Sequence, residues 1–599
     1  MGIQPRAPYE KLVSHFVSVS ISSSFRILLL LSLNKLVKME TFVIDVAPPL
    51  PRVNLTATLD ELQTSSQLYF PGSDIVWMLM SSAFVLMMVP AMCLFYSGAS
   101  NRRSSLALFR LPLITAALIG FQWYLWGYSL AFTPAVPPPS PGVTWYGGDS
   151  RGLALHDSTG RPTGPDVGFK IPELLYQFYE GMFASFTASL VCGGVIRDVP
   201  VGRFLVFITF WSLLVYNPVA RWSWHWAGWS NQRGVMDFAG GTAVHITSGT
   251  AVLAFYVFYE IDMKGFKHCW TGFWRIFFRR LKKPFVGLGL GTHNSGPPRP
   301  IIRPGGNDSE EFELEPRSSS QGPKEDSTQS APADPEAGGI PPTEEQPARL
   351  GLGPEVDNPP HNVNNMILGT ALLWIGWFGF NGGSALGGNL RAVSACVSTH
   401  VAACAGGTTS LFFFWIWNAL YRAGAEPGDE EREAPSSVSA THFCDGAVIG
   451  LVAITPAAGY VPVWSAGIFG VVSAIIVSLL KHITTGMLKD EPLYVFSIHA
   501  GGGMVGMFLT GCFADPAVVG LDGYSTIPDR TVAGRLRYQM LDAFAGLFYT
   551  FFTTLAILYG LQAVRSIFKR RWTPVFRDAN RNRRWKLEAT PQHAWRETT

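Results

Sequence analysis

Long apolar runs recur along this chain of 599 residues, and they constrain its fold more than any other feature. The runs are about twenty residues long, which is what an α-helix needs to cross a bilayer and roughly twice what a membrane β-strand needs. Charged residues make up only 15% of the sequence, whereas roughly 25% is usual in soluble domains. Because a helix satisfies its own backbone polar groups in lipid, the sequence predicts an all-α polytopic membrane protein.

Eleven membrane spans can be placed on these runs. They cover approximately residues 74–98, 107–133, 175–195, 203–220, 240–260, 364–382, 392–421, 442–459, 462–482, 494–513 and 538–563. Lys and Arg residues gather after odd-numbered spans, for example at Arg102 and Arg103 and at Lys569, Arg570 and Arg571. Since basic loops stay in the cytoplasm, we expect an extracellular N-terminus and a cytoplasmic C-terminus.

The spans divide the chain into five segments. Residues 1–70 form an extracellular or mis-started N-terminal segment, whose short apolar stretch fits either a signal peptide or an extension upstream of a true start at Met39. Residues 71–263 hold spans 1–5, 264–361 a cytoplasmic insertion, 362–564 spans 6–11, and 565–599 a basic cytoplasmic tail. The Pro, Gly, Ser and Glu of the insertion predict a mostly disordered segment.

Two histidines within the spans each follow an acidic residue at the same distance. Asp237 precedes His245 by eight positions, and Glu491 precedes His499 by eight positions. On a helix this is just over two turns, which puts both members of a pair on nearly one face. Ionisable residues at membrane depth are costly and indicate function. The shared spacing predicts an internal repeat, with a substrate site near the bilayer midplane where its halves meet.

Other classes of function find little support in the sequence. A net charge of +3 is too small to indicate a nucleic-acid partner, and the seven cysteines show no Cys-x-x-Cys spacing, so neither a disulfide framework nor a metal site is expected. No span contains a metalloprotease or hydrolase motif, so we expect no enzyme, no catalytic residue and no cofactor. A lone intramembrane histidine such as His400 is explained by packing between helices.

Six motifs distributed over the spans carry a family resemblance. They are Leu94-Phe95-Tyr96-Ser97-Gly98, Trp126-Gly127-Tyr128-Ser129-Leu130-Ala131-Phe132, Asp237 to His245, Gly376-Trp377-Phe378-Gly379-Phe380-Asn381-Gly382-Gly383-Ser384, Thr455-Pro456-Ala457-Ala458-Gly459-Tyr460, and Asp490 to Gly506. Together they resemble the ammonium transporter (Amt/Mep/Rh) family, in particular fungal Mep-type ammonium permeases. The resemblance covers residues 74 to 563 and leaves out the insertion, the first 70 residues and the tail.

The resemblance implies eleven transmembrane helices with a five-plus-five inverted repeat, a pore through each subunit, and a homotrimer in the plasma membrane. It implies ammonium and methylammonium as substrates, taken up as a nitrogen source. An ammonium sensor or transceptor with little throughput is the alternative, because the long insertion and Tyr494 depart from a plain transporter. A gas or water channel of the Rh sort is the third possibility, and the expected cation-recruiting mouth counts against it.

The resemblance also assigns roles to site residues. The expected outer substrate-binding residues are Trp224, Ser384 and Tyr179. Phe183 and Phe380 would form an aromatic gate, and His245 and His499 would line the pore. Asp237 would support the outer site from beneath without touching substrate. Phe186 is the alternative to Phe183 at the gate. The one of these two residues that does not form the gate would then face lipid.

The chemistry of ammonium suits these residue types. Aromatic faces attract cations, by roughly 0.5–2 kcal/mol each, and a hydroxyl accepts a hydrogen bond from N–H. Moving a bare cation into an apolar pore costs many kcal/mol. Unlike potassium or sodium, ammonium has a removable proton, so neutral ammonia can pass where the cation cannot. Two neutral imidazoles then offer donors and acceptors along the pore.

Two positions differ from the family pattern. Tyr494 stands where an Asp is usual, and Glu491 stands where a second Asp is common. Both lie at the cytoplasmic mouth of the tenth span. We therefore expect the pore histidines to be retained and the inner vestibule to differ.

Overall fold

The computed structural model describes residues 70–133, 146–148, 163, 170–194, 199–264, 360–423, 439–485, 493–527 and 531–581. The expectations for the N-terminal segment, for nearly all of the 264–361 insertion, for Glu491 and for the end of the tail concern residues outside these ranges.

The described residues form eleven long helical stretches and no β-strand, which confirms the all-α prediction for this part of the chain. The stretches are α1 Gly72–Ala99, α2 Arg102–Phe132, α3 Glu173–Val191, α4 Val201–Trp224, α5 Gly241–Ile246 continued by Thr247–Lys264, α6 Val363–Gly383, α7 Leu390–Ala423, α8 Ala440–Ile454, α9 Val463–Thr485, α10 Phe496–Phe513 and α11 Val532–Arg581. Each coincides with one predicted span. By length and hydropathy alone, eight of them qualify as membrane-crossing helices: α1, α2, α4, α5, α6, α9, α10 and α11.

The predicted boundaries fail where local chemistry ends or extends a helix. The eighth span was expected over 442–459, but α8 ends at Ile454. Pro456 follows two residues later, and a proline lacks the N–H that would continue the helix and disfavours helical geometry just before it. Conversely, α11 extends beyond the apolar run 538–563 at both ends, from Val532 to Arg581.

Four helices contain a π-helical turn, and two of these turns begin the helices that carry the expected pore histidines. The turns are Trp123–Gly127 in α2, Ser212–Tyr216 in α4, Gly241–Ile246 in α5 and Phe496–Gly501 in α10. A π turn adds a residue to the helical ladder and is frequent at functional sites. His245 and His499 therefore occupy equivalent positions at the starts of α5 and α10.

Glycines allow the corresponding helices of the two halves to approach each other closely. A Cβ at Gly98 of α1 would lie 2.5 Å from Asn362 O, and one at Gly369 of α6 would lie 2.5 Å from Phe95 N. At the centre, a Cβ at Gly503 of α10 would lie 2.8 Å from Gly241 O of α5. Small residues at helix interfaces permit this contact between backbones in a membrane. The first and the fifth helices of each half thus meet their counterparts.

Candidate functional site

The start of α5 is held by Asp237, which is buried. Its Oδ1 accepts hydrogen bonds from Gly240 N, at 3.0 Å, and from Gly241 N. Its Oδ2 accepts from Thr242 N at 2.9 Å and from Ala243 N at 3.2 Å. These N–H groups have no partner inside the helix, and a carboxylate also complements the positive end of the helix dipole.

This arrangement corrects one expectation from the spacing. Asp237 and His245 do not share a helix face, because α5 begins only at Gly241 and Asp237 precedes it. The chain turns into the helix through Gly240, whose φ of +112° favours glycine. All four contacts of the carboxylate go to backbone N–H groups, so the side chain of Asp237 caps the start of α5.

Trp224, at the end of α4, is tied to the same segment. Its Nε1 donates a hydrogen bond to Asp237 O at 2.8 Å. The Trp224 ring stands nearly perpendicular to the Phe183 ring, at 88° and with 5.9 Å between centroids. The indole is partly exposed, while Phe183 is 1% exposed. Trp224 thus presents an aromatic surface just outside a closed aromatic layer.

Ser384 and Tyr179 meet at the end of α6, and the Tyr179 ring lies 4.9 Å from the Phe183 ring between centroids. Ser384 Oγ donates to Phe380 O at 2.9 Å, and Tyr179 OH donates to the same carbonyl at 2.8 Å. The two hydroxyl oxygens are 3.2 Å apart. With their protons directed to the carbonyl, both oxygens keep lone pairs that can accept from a cationic N–H donor. Ser384 is partly exposed whereas Tyr179 is 1% exposed, so Ser384 is the accessible acceptor and Tyr179 lies behind it.

Phe183 and Phe380, the residues expected at the gate, form a closely packed pair of rings next to Trp224. Their ring centroids are 4.2 Å apart with 31° between the planes, and neither side chain is more than 1% exposed. Phe186 is fully buried and packs 5.6 Å from Phe380 and 6.3 Å from Trp377. The idea that one of the two α3 phenylalanines faces lipid is therefore wrong, because Phe186 lies in the interior behind Phe380.

His245 and His499 face each other directly beneath the phenyl pair. Their Nδ1 atoms are 3.2 Å apart, and their rings are nearly parallel, with 23° between the planes. The His245 ring also stacks near Phe380, with 6.2 Å between centroids. The structure thus brings Trp224, Phe183, Phe380, His245 and His499 together in one continuous row.

Thr455 and Trp377 belong to this site, although the sequence analysis noted them only within motifs. Thr455 Oγ1 donates to Leu451 O at 2.8 Å and accepts from Trp377 Nε1 at 2.9 Å. It also lies 3.4 Å from His245 Nε2. Because the single hydroxyl proton is used at Leu451, Nε2 of His245 must be the donor in that contact.

The contact at Thr455 determines the hydrogen bond between the histidines. With its proton on Nε2, neutral His245 has only a lone pair on Nδ1, so His499 must donate from its own Nδ1. The signal in the sequence was the Thr-Pro step that ends α8. Its proximity to His245, 210 positions away, was not visible there.

The end of α10 nearest His499 differs from the start of α5. Tyr494 precedes α10 with a φ of +51°, which is rare for a residue other than glycine. Lys481 Nζ lies 4.3 Å from the centre of its ring and pairs with Asp445 Oδ2 at 2.5 Å. This end of α10 therefore carries an aromatic ring next to a buried ion pair.

Comparison with known proteins assigns the chain to a family. The sequence profile of the Ammonium Transporter Family matches residues 76–266 and 347–574. Ammonium transporter 1 of Schizosaccharomyces pombe is 30% identical over 506 residues, which cover 84% of this chain and 78% of that relative. Ammonium transporter MEP2 of Saccharomyces cerevisiae is 28% identical over 513 residues, with 84% and 81% covered.

Solved structures support the same assignment. The crystal structure of Candida albicans Mep2 has a TM-score of 0.60 and 29% sequence identity to this chain, and the match covers 85% of this chain and 88% of that one. Among the described residues, no group of three or more His, Cys, Asp or Glu side chains is arranged to hold a metal ion. With its matched profile, its relatives and its fold in agreement, this chain belongs to the ammonium transporter family.

Proposed function

We propose that this protein transports ammonium and methylammonium across the plasma membrane. It recruits the cation at the outer site of Trp224 and Ser384, removes a proton, and passes ammonia along the pore of His245 and His499. The observation that carries this proposal is the continuous row from a partly exposed indole, through stacked phenyl rings, to two facing imidazoles. Members of the family are transporters rather than enzymes.

The outer site suits a small cation that carries hydrogen-bond donors. The Trp224 ring offers a cation–π contact of about 0.5–2 kcal/mol, and Ser384 Oγ offers an acceptor next to it. Asp237 adds negative charge beneath the indole, although its oxygens already accept four backbone hydrogen bonds. The site therefore attracts a cation without binding it to a carboxylate, which lets the substrate leave again.

The phenyl pair favours loss of a proton before passage. Phe183 and Phe380 leave no open path between rings 4.2 Å apart, so at least one ring must rotate for a substrate to pass. A charged ion at that point would exchange its hydration shell for apolar ring surface, which costs many kcal/mol. Neutral ammonia does not incur this cost. The gate thus selects the neutral form.

The histidine pair then offers hydrogen bonds to a neutral substrate. In the tautomers fixed by Thr455, the two imidazoles form a directed chain in which His499 Nδ1 donates to His245 Nδ1 and His245 Nε2 donates to Thr455. In these tautomers only Nε2 of His499 keeps a lone pair that can accept a hydrogen bond from ammonia. The pair thus holds the neutral substrate in the pore, and the proton that the cation loses passes to water at the outer site.

An ammonium sensor with little throughput is the second candidate function, and the inner mouth favours it. Tyr494 places an aromatic ring where the family usually has an Asp, and the ring lies next to Lys481, which is paired with Asp445. Without a carboxylate at position 494, ammonium gains no added negative charge at that end when it is released as a cation. A chain of this kind would bind substrate at the outer site and move it slowly.

The proposal extends to assembly and orientation. We propose a homotrimer with a pore in each subunit, an extracellular N-terminus, and a cytoplasmic C-terminus with the insertion on the same side. The basic residues Arg102 and Arg103 at the start of α2 support this orientation. Cross-linking of intact cells and protease access to epitope tags at either end test both statements.

The deciding experiment is uptake of labelled methylammonium, with growth on low ammonium, in cells that lack their own ammonium transporters. The intact chain is compared with the double variant His245→Ala/His499→Ala, with Trp224→Leu, and with His400→Ala as a matched control. His400 is also an intramembrane histidine, but it is exposed on α7 near Trp374 and Phe378, away from the pore.

Uptake should collapse in the double variant and remain in His400→Ala at equal surface abundance. If the intact chain reaches the surface, binds ammonium and takes up nothing, the sensor function replaces the proposal. If uptake survives loss of both histidines, the pore account is wrong.

A further inference from the structure

The last helix carries a polar stripe that faces the protein. Arg535, Gln539, Asp542 and Tyr549 follow one another at intervals of four, three and seven residues, which places them on one face of α11. Arg535, Gln539 and Asp542 are each 6% exposed or less. This helix follows the ten that form the two halves, so the stripe is no part of their repeat. Polar side chains buried at membrane depth are expensive and call for an explanation.

Gln539 binds the backbone just before Asp237. Its Oε1 accepts from Met236 N at 2.6 Å, and its Nε2 donates to Met236 O at 2.8 Å. One side-chain amide therefore satisfies both backbone groups of a single residue. Since Met236 adjoins Asp237, Gln539 fixes the position from which Asp237 reaches the start of α5.

Asp542 binds the other end of the same segment. Its Oδ1 accepts from Ser230 Oγ at 2.5 Å and lies 3.4 Å from Ser223 Oγ. Ser223 immediately precedes Trp224. The two side chains of α11 thus hold both ends of the connection between α4 and α5, and its ends are joined to each other by the hydrogen bond from Trp224 Nε1 to Asp237 O, at 2.8 Å.

We propose that Gln539 and Asp542 are positioning residues that set the affinity of the outer site by fixing the orientation of Trp224. The inference rests on the proposed function, because it gives that site a mechanical support outside the repeat. A cation–π contact depends on where the ring face points. The indole stands at 88° to Phe183 because its nitrogen is anchored at Asp237 O, and Asp237 is anchored through Met236 to α11. Loss of one of these contacts to α11 therefore changes the tilt of the indole and leaves the phenyl gate closed.

A purely structural role for this stripe predicts something else. Loss of Gln539 would then lower the amount of folded protein, and with it the maximal rate, without changing the concentration of half-maximal uptake. The two roles are separated by measuring both quantities at known surface abundance.

The test compares full-length Gln539→Leu, Asp542→Leu and Asp542→Asn with the intact chain. Asp542→Asn keeps an oxygen that can accept from Ser230 and should restore most of the intact behaviour. The matched control is Thr554→Val, which removes another fully buried polar group from α11, two or more turns beyond the connection. Methylammonium uptake gives the half-saturating concentration and the maximal rate, and hydrogen–deuterium exchange of the purified protein reports on residues 225–237.

We expect Gln539→Leu and Asp542→Leu to raise the half-saturating concentration about tenfold, equivalent to about 1.4 kcal/mol, with the maximal rate within about twofold. Exchange of the 225–237 amides should become faster in these two variants alone. Unchanged half-saturation with a reduced maximal rate overturns the inference, as does faster exchange without a change in affinity.

Failure of the proposed function gives a different result. The intact chain would then take up no methylammonium at any concentration, and Trp224→Leu would change nothing in uptake. Ammonium titration followed by exchange of residues 225–237 gives an affinity that does not depend on transport. Equal affinities of the intact chain and Gln539→Leu in that titration overturn the inference independently.

Discussion

The starts of α5 and α10 place facing histidines in similar π turns, but different residues support the two turns. Each begins with a π turn that contains a histidine, and the two imidazoles meet at 3.2 Å. Before α5, the Asp237 carboxylate accepts hydrogen bonds from four backbone N–H groups, close to the Trp224 indole. Before α10, Tyr494 adopts a left-handed backbone and its ring faces Lys481. The halves thus repeat the residues that line the path and differ in those that shape its two mouths.

Under the proposed function, this difference separates entry from exit. A buried carboxylate near aromatic faces lowers the energy of an approaching cation, whereas the Tyr494 ring and the paired Lys481 and Asp445 add no net negative charge at the other end. Symmetric pore residues alone would make entry and exit equivalent. Substitutions at Asp237, Thr455, Ser384 and Tyr494 test how far the residues around the two histidines, rather than the histidines themselves, determine transport.

The largest effect is expected from Asp237→Ala. It leaves four buried backbone N–H groups without an acceptor, and each such group costs about 1–3 kcal/mol. Uptake should fall at least about 30-fold, equivalent to about 2 kcal/mol, and the melting temperature of the purified protein should fall with it. Asp515→Ala is the matched control, because Asp515 caps a short exposed helix through Ala517 N alone. Equal losses in both variants would show that the start of α5 has no special role.

Thr455→Val should have the next largest effect. The isosteric change removes the acceptor for Trp377 Nε1 and His245 Nε2 and releases the tautomer of the histidine pair. Uptake should fall about tenfold, equivalent to about 1.4 kcal/mol, while Thr455→Ser retains most of it. Thr510→Val provides the control, since that hydroxyl bonds only to the backbone of its own helix. If Thr455→Ser loses as much uptake as Thr455→Val, uptake depends on the methyl group of Thr455 and not on its hydroxyl.

Ser384→Ala sharpens the account of the outer mouth. One neutral hydrogen bond to the cation is worth about 0.5–1.5 kcal/mol, so the half-saturating concentration should rise about threefold. The maximal rate should stay the same, because the gate and the histidines are untouched. Ser465→Ala, which removes a hydroxyl bonded to Pro462 O near the start of α9, is the control. A fall in maximal rate alone would place Ser384 outside the binding step.

Tyr494→Asp should have the smallest effect and addresses the inner mouth. Because Lys481 is already paired with Asp445, a carboxylate at position 494 adds negative charge next to that pair and favours the cation at the exit. The maximal rate should therefore rise about twofold, equivalent to about 0.4 kcal/mol, as for a partly screened charge. Tyr494→Phe keeps the ring over Lys481 and should match the intact chain. A slower Tyr494→Asp protein would show that the ring itself, and not the missing charge, suits this exit.

Sequence reasoning located the helices better than it located the contacts between them. Apolar runs predicted each long helical stretch, because length and hydropathy are properties of a single segment. The predicted fifth span, 240–260, already left Asp237 outside, but the spacing of Asp237 and His245 wrongly put both on one helix face. Spacing alone does not distinguish a capping carboxylate from a residue within the helix. Thr455 and Trp377 were missed as partners of His245 for another reason. Their roles arise from three helices meeting, and nothing within any one of those helices indicates it.

The same limit applies to α11. Gln539 and Asp542 interrupt an apolar run, and from the sequence they read as tolerated polar residues in a span. Only the fold shows that both point at the short connection between α4 and α5, about 300 residues earlier in the chain. A buried polar residue in a membrane helix thus indicates a partner without saying which one.

The glycine contacts between α1 and α6 have a consequence for the speed of transport. Gly98 and Gly369 bring the backbones of α1 and α6 so close that sliding of one helix along the other would set neighbouring side chains against backbone. Many transporters built from repeats work by rocking one half against the other, a collective motion on the microsecond-to-millisecond scale. Under the proposed function, the smallest motion that clears the path is instead a turn of one phenyl ring. Side-chain motions of that size are far faster than rocking, so the proposed function requires no collective change of shape to set the turnover rate.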